Sequence, residues 1–289
     1  MARRKKGFGI FISTFCISFV ILSALFLLFM LYTRTAKVET VKPDVPAGHI
    51  PTTDENMNLL MLFCREPADP PGLVVIASYH APQGELSLVF MPPEALCMQG
   101  SREDTIEGWY QYEGVRGGFN SVQELLGVEI QRYVRTDGDG LTDLIDFLGG
   151  VEYELPNDFE IGGETFWAGY QLLDGRRMKT LLFAPDAFGA ANVDLQRELG
   201  TLLLEKRFDE SFADNYDRFT ATLFDCCETN LSQYDFLTRR EGFSDHLRNG
   251  TLHIQSIQLE GKYSETHTKF TPDPESLRTI QEMLSGNKP

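Results

Sequence analysis

The stretch from residue 120 to residue 156 constrains the fold more than any other, because helix, strand, helix and strand signals follow one another there. Alternating apolar side chains predict a half-buried strand over residues 128–135. Apolar residues spaced i, i+3, i+4 and i+7 predict an amphipathic helix over residues 141–148, and residues 151–155 return as a strand. A strand, a crossover helix and a second strand form a βαβ unit, whose strands are expected to lie parallel in one sheet. The sequence therefore predicts an α/β fold.

The first helix of this stretch is predicted to begin at Asn120 or Ser121. Ser121 and Glu124 fit a capping box, in which each side chain satisfies a free backbone amide at the helix N-terminus. Gly127 can adopt the left-handed conformation that ends many helices. Residues 101–119, which precede the helix, are polar and rich in glycine without a dominant period, and this predicts a long surface loop.

An apolar segment near the N-terminus, residues 8–32, contains no charged residue. As a helix it would span about 37 Å, more than the ~30 Å hydrocarbon core of a bilayer. It is longer than the apolar region of a cleavable secretory signal, and the basic residues 3–6 before it favour a cytoplasmic N-terminus. The sequence therefore predicts a cytoplasmic basic tail (1–7), an uncleaved single-pass transmembrane helix (8–32), a linker (33–56) and an extracytoplasmic domain (57–289) at the cell membrane.

Charge and residue clustering exclude several classes of partner. The 289 residues carry a formal net charge of −16, and nucleic acid is not an expected partner because phosphate neutralisation needs clustered Lys and Arg. The five histidines are scattered without zinc spacing, so none is predicted to bind a metal. Asp137 and Asp139 resemble the start of a calcium loop, but Leu148 stands where an EF-hand needs glutamate. A capped turn between strand and helix is the preferred interpretation.

Four cysteines, Cys64, Cys97, Cys226 and Cys227, fall in the predicted external domain. They could form disulfides. Neighbouring cysteines bridge poorly to each other, however, and the chain has no dense cysteine framework, so free and partly buried thiols are favoured.

The remaining segments extend the α/β pattern on both sides of the central stretch. Short apolar runs bounded by turn residues predict strands, and longer runs with helical spacing predict helices. The predicted strands are residues 58–63, 73–79, 86–91 and 251–259, residues 178–183 form a strand or a short helix, and the predicted helices are residues 194–208, 212–227 and 272–284.

The sequence resembles the extracytoplasmic domain of the LytR-CpsA-Psr family. The block SVQELLGVEIQRYVRTDGDGLTDLIDFLGGVEYELP is similar to that family's helix–strand–helix–strand hallmark almost position by position. NLLMLF resembles the family's first strand, LVVIASYHAPQGELSLVFMPPE its hairpin and GYQLLDGRRM its Leu-Asp-Gly turn. The segment from Leu252 to Leu284 resembles the terminal strand and helix. The chain is identified as a divergent member over residues 57–289.

The resemblance implies a mixed central sheet flanked by helices, with a cleft for a polyprenyl-pyrophosphate-linked glycan. In active members the lipid lies in an apolar tunnel, and arginines with a carboxylate-held magnesium ion bind the pyrophosphate while the glycopolymer passes to peptidoglycan. The chemistry demands such groups, because phosphoryl transfer depends on positioning and on neutralising spread negative charge. Arginine suits these oxygens because it can donate two hydrogen bonds at once.

The sequence departs from the family pattern at the positions that the resemblance assigns to pyrophosphate and metal. The metal-binding Asp-Thr is Gly72-Leu73 here, so no magnesium cofactor is expected. Gln196 fits the family pattern, and Arg197 lies one position from an expected arginine. The other arginine motifs are replaced by Phe63-Cys64-Arg65-Glu66-Pro67, Pro92-Pro93-Glu94, Phe183-Ala184-Pro185 and Asn192-Val193-Asp194-Leu195.

Three hypotheses follow. The first is a membrane-anchored, catalytically degenerate family member that acts in or regulates glycopolymer attachment to peptidoglycan, with a polyprenyl-linked glycan lipid or cell-wall assembly proteins as partners. The second is an active but rewired phosphotransferase, whose ligand-binding residues would be Arg65, Arg116, Arg197 and Gln196 if the arginines converge on one cleft. The third is a structural protein-interaction module of the cell surface. A filled apolar cleft would favour the third, since the Phe-rich segments can form either a core or a lipid tunnel.

Overall fold

A six-stranded mixed sheet organises the residues that the structure, a computed structural model, describes, namely 49–187 and 189–285. These described residues, from His49 onward, pack as one compact unit. The strands of the central sheet and of four small two-stranded sheets are β1 (Met57–Cys64), β2 (Pro71–His80), β3 (Glu85–Met91), β4 (Leu96–Gln99), β5 (Arg102–Thr105), β6 (Arg132–Thr136), β7 (Val151–Leu155), β8 (Phe159–Ile161), β9 (Glu164–Phe166), β10 (Gly169–Leu173), β11 (Glu228–Thr229), β12 (His253–Gln258), β13 (Gly261–Tyr263) and β14 (Phe270–Pro272).

The helices lie on both faces of the central sheet. In the described part of the chain the α-helices are α1 (Ile106–Glu113), α2 (Val115–Leu126), α3 (Gly138–Leu148), α4 (Gly175–Leu182), α5 (Val193–Arg207), α6 (Glu210–Cys226), α7 (Gln233–Asn249) and α8 (Pro274–Leu284).

The central sheet has the strand order β11-β6-β1-β2-β3-β12. β1, β2 and β3 form an antiparallel meander. β6 joins β1 in parallel and β12 joins β3 in parallel, while β11 runs antiparallel to β6. The prediction of a mixed central sheet flanked by helices is therefore confirmed, as are the strands predicted at residues 58–63, 73–79, 86–91 and 251–259.

Side chains alternate between the two faces of the sheet and build a separate core on each. Leu60 and Leu62 of β1 pack against α1, α2 and α8. Met61 and Phe63 point to the opposite face, where the core continues into α3, α4 and α5. Because successive strand residues point to opposite faces, one continuous apolar run supplies both cores. The result is a three-layer α/β/α arrangement.

The pairing predicted for residues 151–155 is wrong. They form a strand, β7, but it pairs antiparallel with β10 in a separate two-stranded sheet and not in parallel with the central strands. The reason is that β11 already covers the free edge of β6, so no position beside β6 remains for β7. Gly149 and Gly150, both with positive φ, turn the chain away directly after α3. Val151 and Leu155 still bury their side chains in the core on the α3 side.

The prediction of a surface loop over residues 101–119 is also wrong, because this segment forms β5, α1 and the start of α2. Thr105 caps α1 by accepting a hydrogen bond from the amide of Gly108. Gly117 has no space for a side chain, since a Cβ there would lie 2.1 Å from the carbonyl oxygen of Trp109. The glycines of this segment therefore permit close helix packing rather than loop formation.

The predicted start of the helix that follows is also wrong, because this helix begins inside the segment that was predicted to be a loop. α2 begins at Val115 and already contains Ser121, whose hydroxyl donates to the carbonyl of Gly118 at 2.8 Å and does not cap the helix. The following strand, β6, begins only at Arg132. The segment at residues 178–183 belongs to the helix α4, and α7 has no counterpart among the predicted elements.

Within residues 49–187 and 189–285, no helix combines the length and apolar character that crossing a membrane requires. The predicted transmembrane helix at residues 8–32, the basic tail at 1–7 and the linker up to residue 48 lie outside the described residues.

An ion pair between a half-buried arginine and a buried carboxylate ties α7 to the central sheet. Arg132 of β6 donates from Nε to Oδ2 of Asp235 at 3.0 Å, and the hydroxyl of Ser232 donates to the same oxygen at 2.6 Å. Burial disfavours the charged form of Asp235, but the hydrogen bonds from Arg132 and Ser232 outweigh it and lower the pKa of this carboxyl to about 2. The pair therefore stabilises the fold wherever Asp235 is ionised.

We expect Asp235→Asn to lower the free energy of unfolding by roughly 2 kcal/mol at pH 7, since one pKa unit corresponds to ~1.4 kcal/mol. Because the folded pKa is depressed, this contribution is present above the unfolded pKa of ~3.9 and is lost as pH falls towards 2. Urea denaturation at pH 7, 4 and 2.5 measures the difference. Asp217→Asn is the control, because its ion pair with Arg240 is exposed. An equal loss at all three pH values would contradict the prediction.

Candidate functional site

An apolar cavity of about 280 Å³ lies between the central sheet and the helices α3 to α7. Side chains that alternate along β2, from Leu73 through Val75 and Ala77 to Tyr79, form part of its floor. These positions span about 20 Å, since a strand rises ~3.3 Å per residue. The apolar cavity is therefore elongated, and its shape and lining can hold a single hydrocarbon chain.

The apolar cavity has a polar group at each end of β2. Gln196 lies at the Leu73 end, where its side-chain amide donates to the carbonyl oxygen of Gly72 at 2.9 Å. Tyr79 and Arg239 line the apolar cavity at the other end. The long walls between the two ends are apolar.

A second cavity of about 200 Å³, the polar cavity, shares Gln196 with the first. It brings together residues from every stretch that the resemblance assigns to pyrophosphate or metal. These residues, distant in sequence, are Arg65, Gly72, Pro93, Glu94, Phe183, Ala184, Pro185 and Gln196.

The structure brings two of the four candidate ligand-binding residues to this place. Arg65 and Gln196 both line the polar cavity. Arg116 is exposed on α2 and Arg197 is half-buried on α5, and neither is among the residues that line it. The Arg65 guanidinium donates from Nη2 to the carbonyl oxygen of Phe183 at 2.7 Å, so part of its hydrogen-bonding capacity is already used.

Carboxylates outnumber this arginine in the polar cavity. Asp69, Glu94 and Glu107 line it together with Arg65. Burial raises the pKa of Glu94, and it raises the pKa of Glu107, to which the neighbouring charge of Glu94 adds. A carboxylate that is ionised here repels the oxygens of a pyrophosphate, whereas the guanidinium of Arg65 attracts them. Among the residues that line the polar cavity, three carboxyl groups accompany one guanidinium.

The residues present do not fit the magnesium ion that the family implies. The family's metal-binding position is Gly72, and the ring of Phe183 packs so closely that a Cβ at residue 72 would lie 3.0 Å from Phe183 Cδ1. No cluster of three or more His, Cys, Asp or Glu side chains in the described ranges is arranged to hold a metal ion.

Gln196 holds the boundary between the two cavities. Its side chain is 1% exposed, and Nε2 donates to both Gly72 O and Leu182 O at 2.9 Å. These bonds join α5 to β2 and to the end of α4, next to Phe183. Gln196 therefore fixes the backbone around the polar cavity, whatever that cavity binds.

The other sequence candidates lie away from both cavities. Cys64 and Cys97 are buried free thiols, and the sulfur atoms of Cys226 and Cys227 are 3.6 Å apart without a bond. Asp137 caps α3 by accepting from the amides of residues 139 and 140, which is the capped turn preferred in the sequence.

Sequence reasoning missed the far end of the apolar cavity. Tyr79 continues the period-two pattern of Leu73 and Val75, so its direction could have been foreseen. Arg239 could not, because α7 was not predicted and only the folded chain places it beside β2.

A family model and a curated relative match this chain. The model of the LytR_cpsA_psr family matches residues 74–286. A polyisoprenyl-teichoic acid–peptidoglycan teichoic acid transferase TagU from Bacillus cereus (strain AH820) is 22% identical over 222 residues, which cover 74% of this chain and 72% of the relative.

Solved structures have the same fold. A putative transcription regulator from Eubacterium siraeum DSM 15702 superposes with a TM-score of 0.72 at 18% identity, covering 83% of this chain and 95% of that one. TagT bound to LI-WTA superposes with a TM-score of 0.65 at 20% identity, covering 82% and 94%. Since the family model spans most of the sequence, this chain belongs to the LytR-CpsA-Psr family.

Proposed function

We propose that this chain is a lipid-binding, non-transferring member of its family, which takes the polyprenyl part of a lipid-linked glycan into the apolar cavity. One observation carries the proposal. The chain has an elongated apolar cavity, whereas the polar cavity beside it is lined by three carboxyl groups and by one guanidinium, that of Arg65. The chain thus keeps the groups that hold a hydrocarbon chain and lacks those that neutralise a pyrophosphate during transfer.

The named relatives supply the substrate class of the proposal. TagU is named as a polyisoprenyl-teichoic acid–peptidoglycan teichoic acid transferase. The structure of TagT was solved with LI-WTA bound. By analogy, this chain acts in, or regulates, the attachment of glycopolymers to peptidoglycan, either by holding the lipid intermediate or by presenting it to cell-wall assembly proteins.

The placement of the protein is part of the same proposal. Residues 8–32 anchor it as a single-pass membrane protein, the basic residues 1–7 stay in the cytoplasm, and residues 33–56 link the anchor to an extracytoplasmic domain from residue 57. A lipid-linked substrate in the same membrane then lies within reach of the domain. Protease protection in intact cells tests this placement, because only the extracytoplasmic domain should be digested.

Calorimetry of the unit that begins at His49 tests the lipid proposal. We expect short-chain polyprenyl pyrophosphates to bind without magnesium dependence. Affinity should rise at least tenfold for each added isoprene unit until the cavity is full, since a buried CH₂ contributes ~0.8 kcal/mol. Binding that strengthens with magnesium would contradict the non-transferring role and would favour a rewired transferase. No binding in either buffer would favour a protein-interaction module.

A further inference from the structure

The far end of the apolar cavity contains polar groups that the family resemblance does not assign. Tyr79 of β2 is 6% exposed, and Arg239 of α7 has a side chain that is 13% exposed. Both line the apolar cavity, about 20 Å along β2 from the end marked by Gln196. A lipid with its polar group at the polar cavity would place only hydrocarbon here.

Two hydrogen-bond donors at this end have no acceptor. The hydroxyl of Tyr79 and Nε of Arg239 are buried and make no hydrogen bond. The other Arg239 nitrogens are occupied, since Nη1 donates to Asp235 O at 2.8 Å and Nη2 donates to Asn56 O at 3.2 Å. Burial raises the pKa of Tyr79, so the phenol keeps its proton at neutral pH. A buried donor without an acceptor is costly, by about 1–3 kcal/mol, and such groups call for a partner.

The charges around these donors select the kind of partner. Arg132 and Arg239 lie in one network with two carboxylates, Asp235 and Glu55. The positive and negative charges therefore balance before any ligand binds. An anionic head group would bring an uncompensated charge into a buried site, which is unfavourable. A neutral oxygen can accept both hydrogen bonds without that cost.

We propose that the apolar cavity binds a long-chain alcohol whose hydroxyl accepts hydrogen bonds from Tyr79 and Arg239 at the end opposite the polar cavity. This rests on the proposed lipid-binding function and adds the unphosphorylated lipid alcohol as a second ligand class of the same cavity. An alcohol oxygen is neutral and has two lone pairs, so it can accept from both donors. The head group thus lies away from the carboxylates of the polar cavity.

Photo-crosslinking of the full chain in phosphatidylcholine nanodiscs tests the proposal. The probe is hexadecanol with a diazirine beside the hydroxyl, and the matched probe has the same chain and diazirine without the hydroxyl. Peptide mass spectrometry locates the labels. We expect the alcohol to label peptides that contain Tyr79 and Phe243, whose rings are in contact, and the alkane to label both ends of the cavity.

Two tyrosine variants provide the decisive comparison. Tyr79→Phe removes the unpartnered hydroxyl and should reduce alcohol labelling at that end about fivefold, the effect of one net hydrogen bond. Tyr216→Phe is the matched control, because Tyr216 also lines the cavity but its hydroxyl already donates to Phe236 O at 3.4 Å. Its labelling should not change. An excess of palmitate should compete less well than hexadecanol.

Four results would overturn the inference. Equal labelling of both ends by the alcohol probe would show that no head-group site exists at Tyr79. A Tyr79→Phe variant that labels like the unmodified protein would contradict the proposed hydrogen bonds. Palmitate that competes as well as hexadecanol would contradict them too. The absence of any label from either probe in the cavity peptides would overturn the lipid-binding function itself, and the inference with it.

Discussion

Replacing Ala77 by phenylalanine should abolish most lipid binding while leaving the fold intact. Ala77 lies in the middle of β2, between Leu59 of β1 and Leu88 of β3, and all three line the apolar cavity. A phenyl ring at this position would extend into the cavity and displace about four methylene groups of a bound chain. At ~0.8 kcal/mol per buried CH₂ this is about 3 kcal/mol, or roughly a hundredfold weaker binding.

A graded series separates blocking from unfolding. Ala77→Val adds two methyl groups and should weaken binding of the polyprenyl chain by only a small factor, whereas Ala77→Phe should nearly eliminate it. Filling a cavity commonly preserves or raises stability, so both variants should melt close to the unmodified protein. Isothermal titration with a polyprenyl pyrophosphate and thermal denaturation provide the two measurements. A folded Ala77→Phe variant with unchanged affinity would show that the lipid binds elsewhere.

The central strands could be predicted because their information is local. Residues 58–63, 73–79 and 86–91 are apolar, short and bounded by turn residues, so their identity as strands does not depend on distant contacts. The pairing partner of β7, in contrast, depends on contacts that are distant in sequence. Whether it could join β6 was decided by β11, a strand of two residues with no signal of its own in the sequence.

Glycine was the main source of error in the helices. Gly117 and Gly118 indicated a loop in the sequence, but in the structure they let α2 approach α1 and the sheet, with Gly118 near Tyr110 and Leu62. The same residue type serves loops and close packing, and only the neighbours in space distinguish the two.

The candidate site, too, could be predicted only in part from the sequence. The resemblance identified positions 65, 72, 94, 183 and 196, and the fold brings all of them to one cavity. Glu107 could not be found in this manner, because it belongs to the segment taken for a loop. The excess of carboxylates over arginine there thus became visible only in the structure, although the missing arginines were evident in the sequence.

Two departures from the family pattern in the polar cavity are coupled to each other. The family's carboxylate position is Gly72 and its arginine position is Phe183, and the Phe183 ring occupies the space that a side chain at residue 72 would need. Gly72→Asp alone forces a contact at 3.0 Å or less and should destabilise the protein by about 1–3 kcal/mol without creating a metal site. Restoring one group therefore requires changing the other.

We expect the double variant Gly72→Asp/Phe183→Arg to gain magnesium-dependent binding of a polyprenyl pyrophosphate. Removing the ring gives the new carboxylate room, and together with Glu94 it offers two carboxylates to a magnesium ion that also contacts phosphate oxygens. The new guanidinium can bind those oxygens in bidentate fashion. Titration with and without magnesium should show at least a tenfold difference, about 1.4 kcal/mol.

The control for this gain is Gly72→Asn/Phe183→Arg, which has the same size and the same new cation but no added carboxylate. It should bind the pyrophosphate without magnesium dependence, because an amide is a weak replacement for a carboxylate ligand of this ion. If both double variants respond equally to magnesium, the ion binds at other residues. If Gly72→Asp alone responds as strongly as the double variant, the Phe183 ring does not block the site, and the two departures are independent.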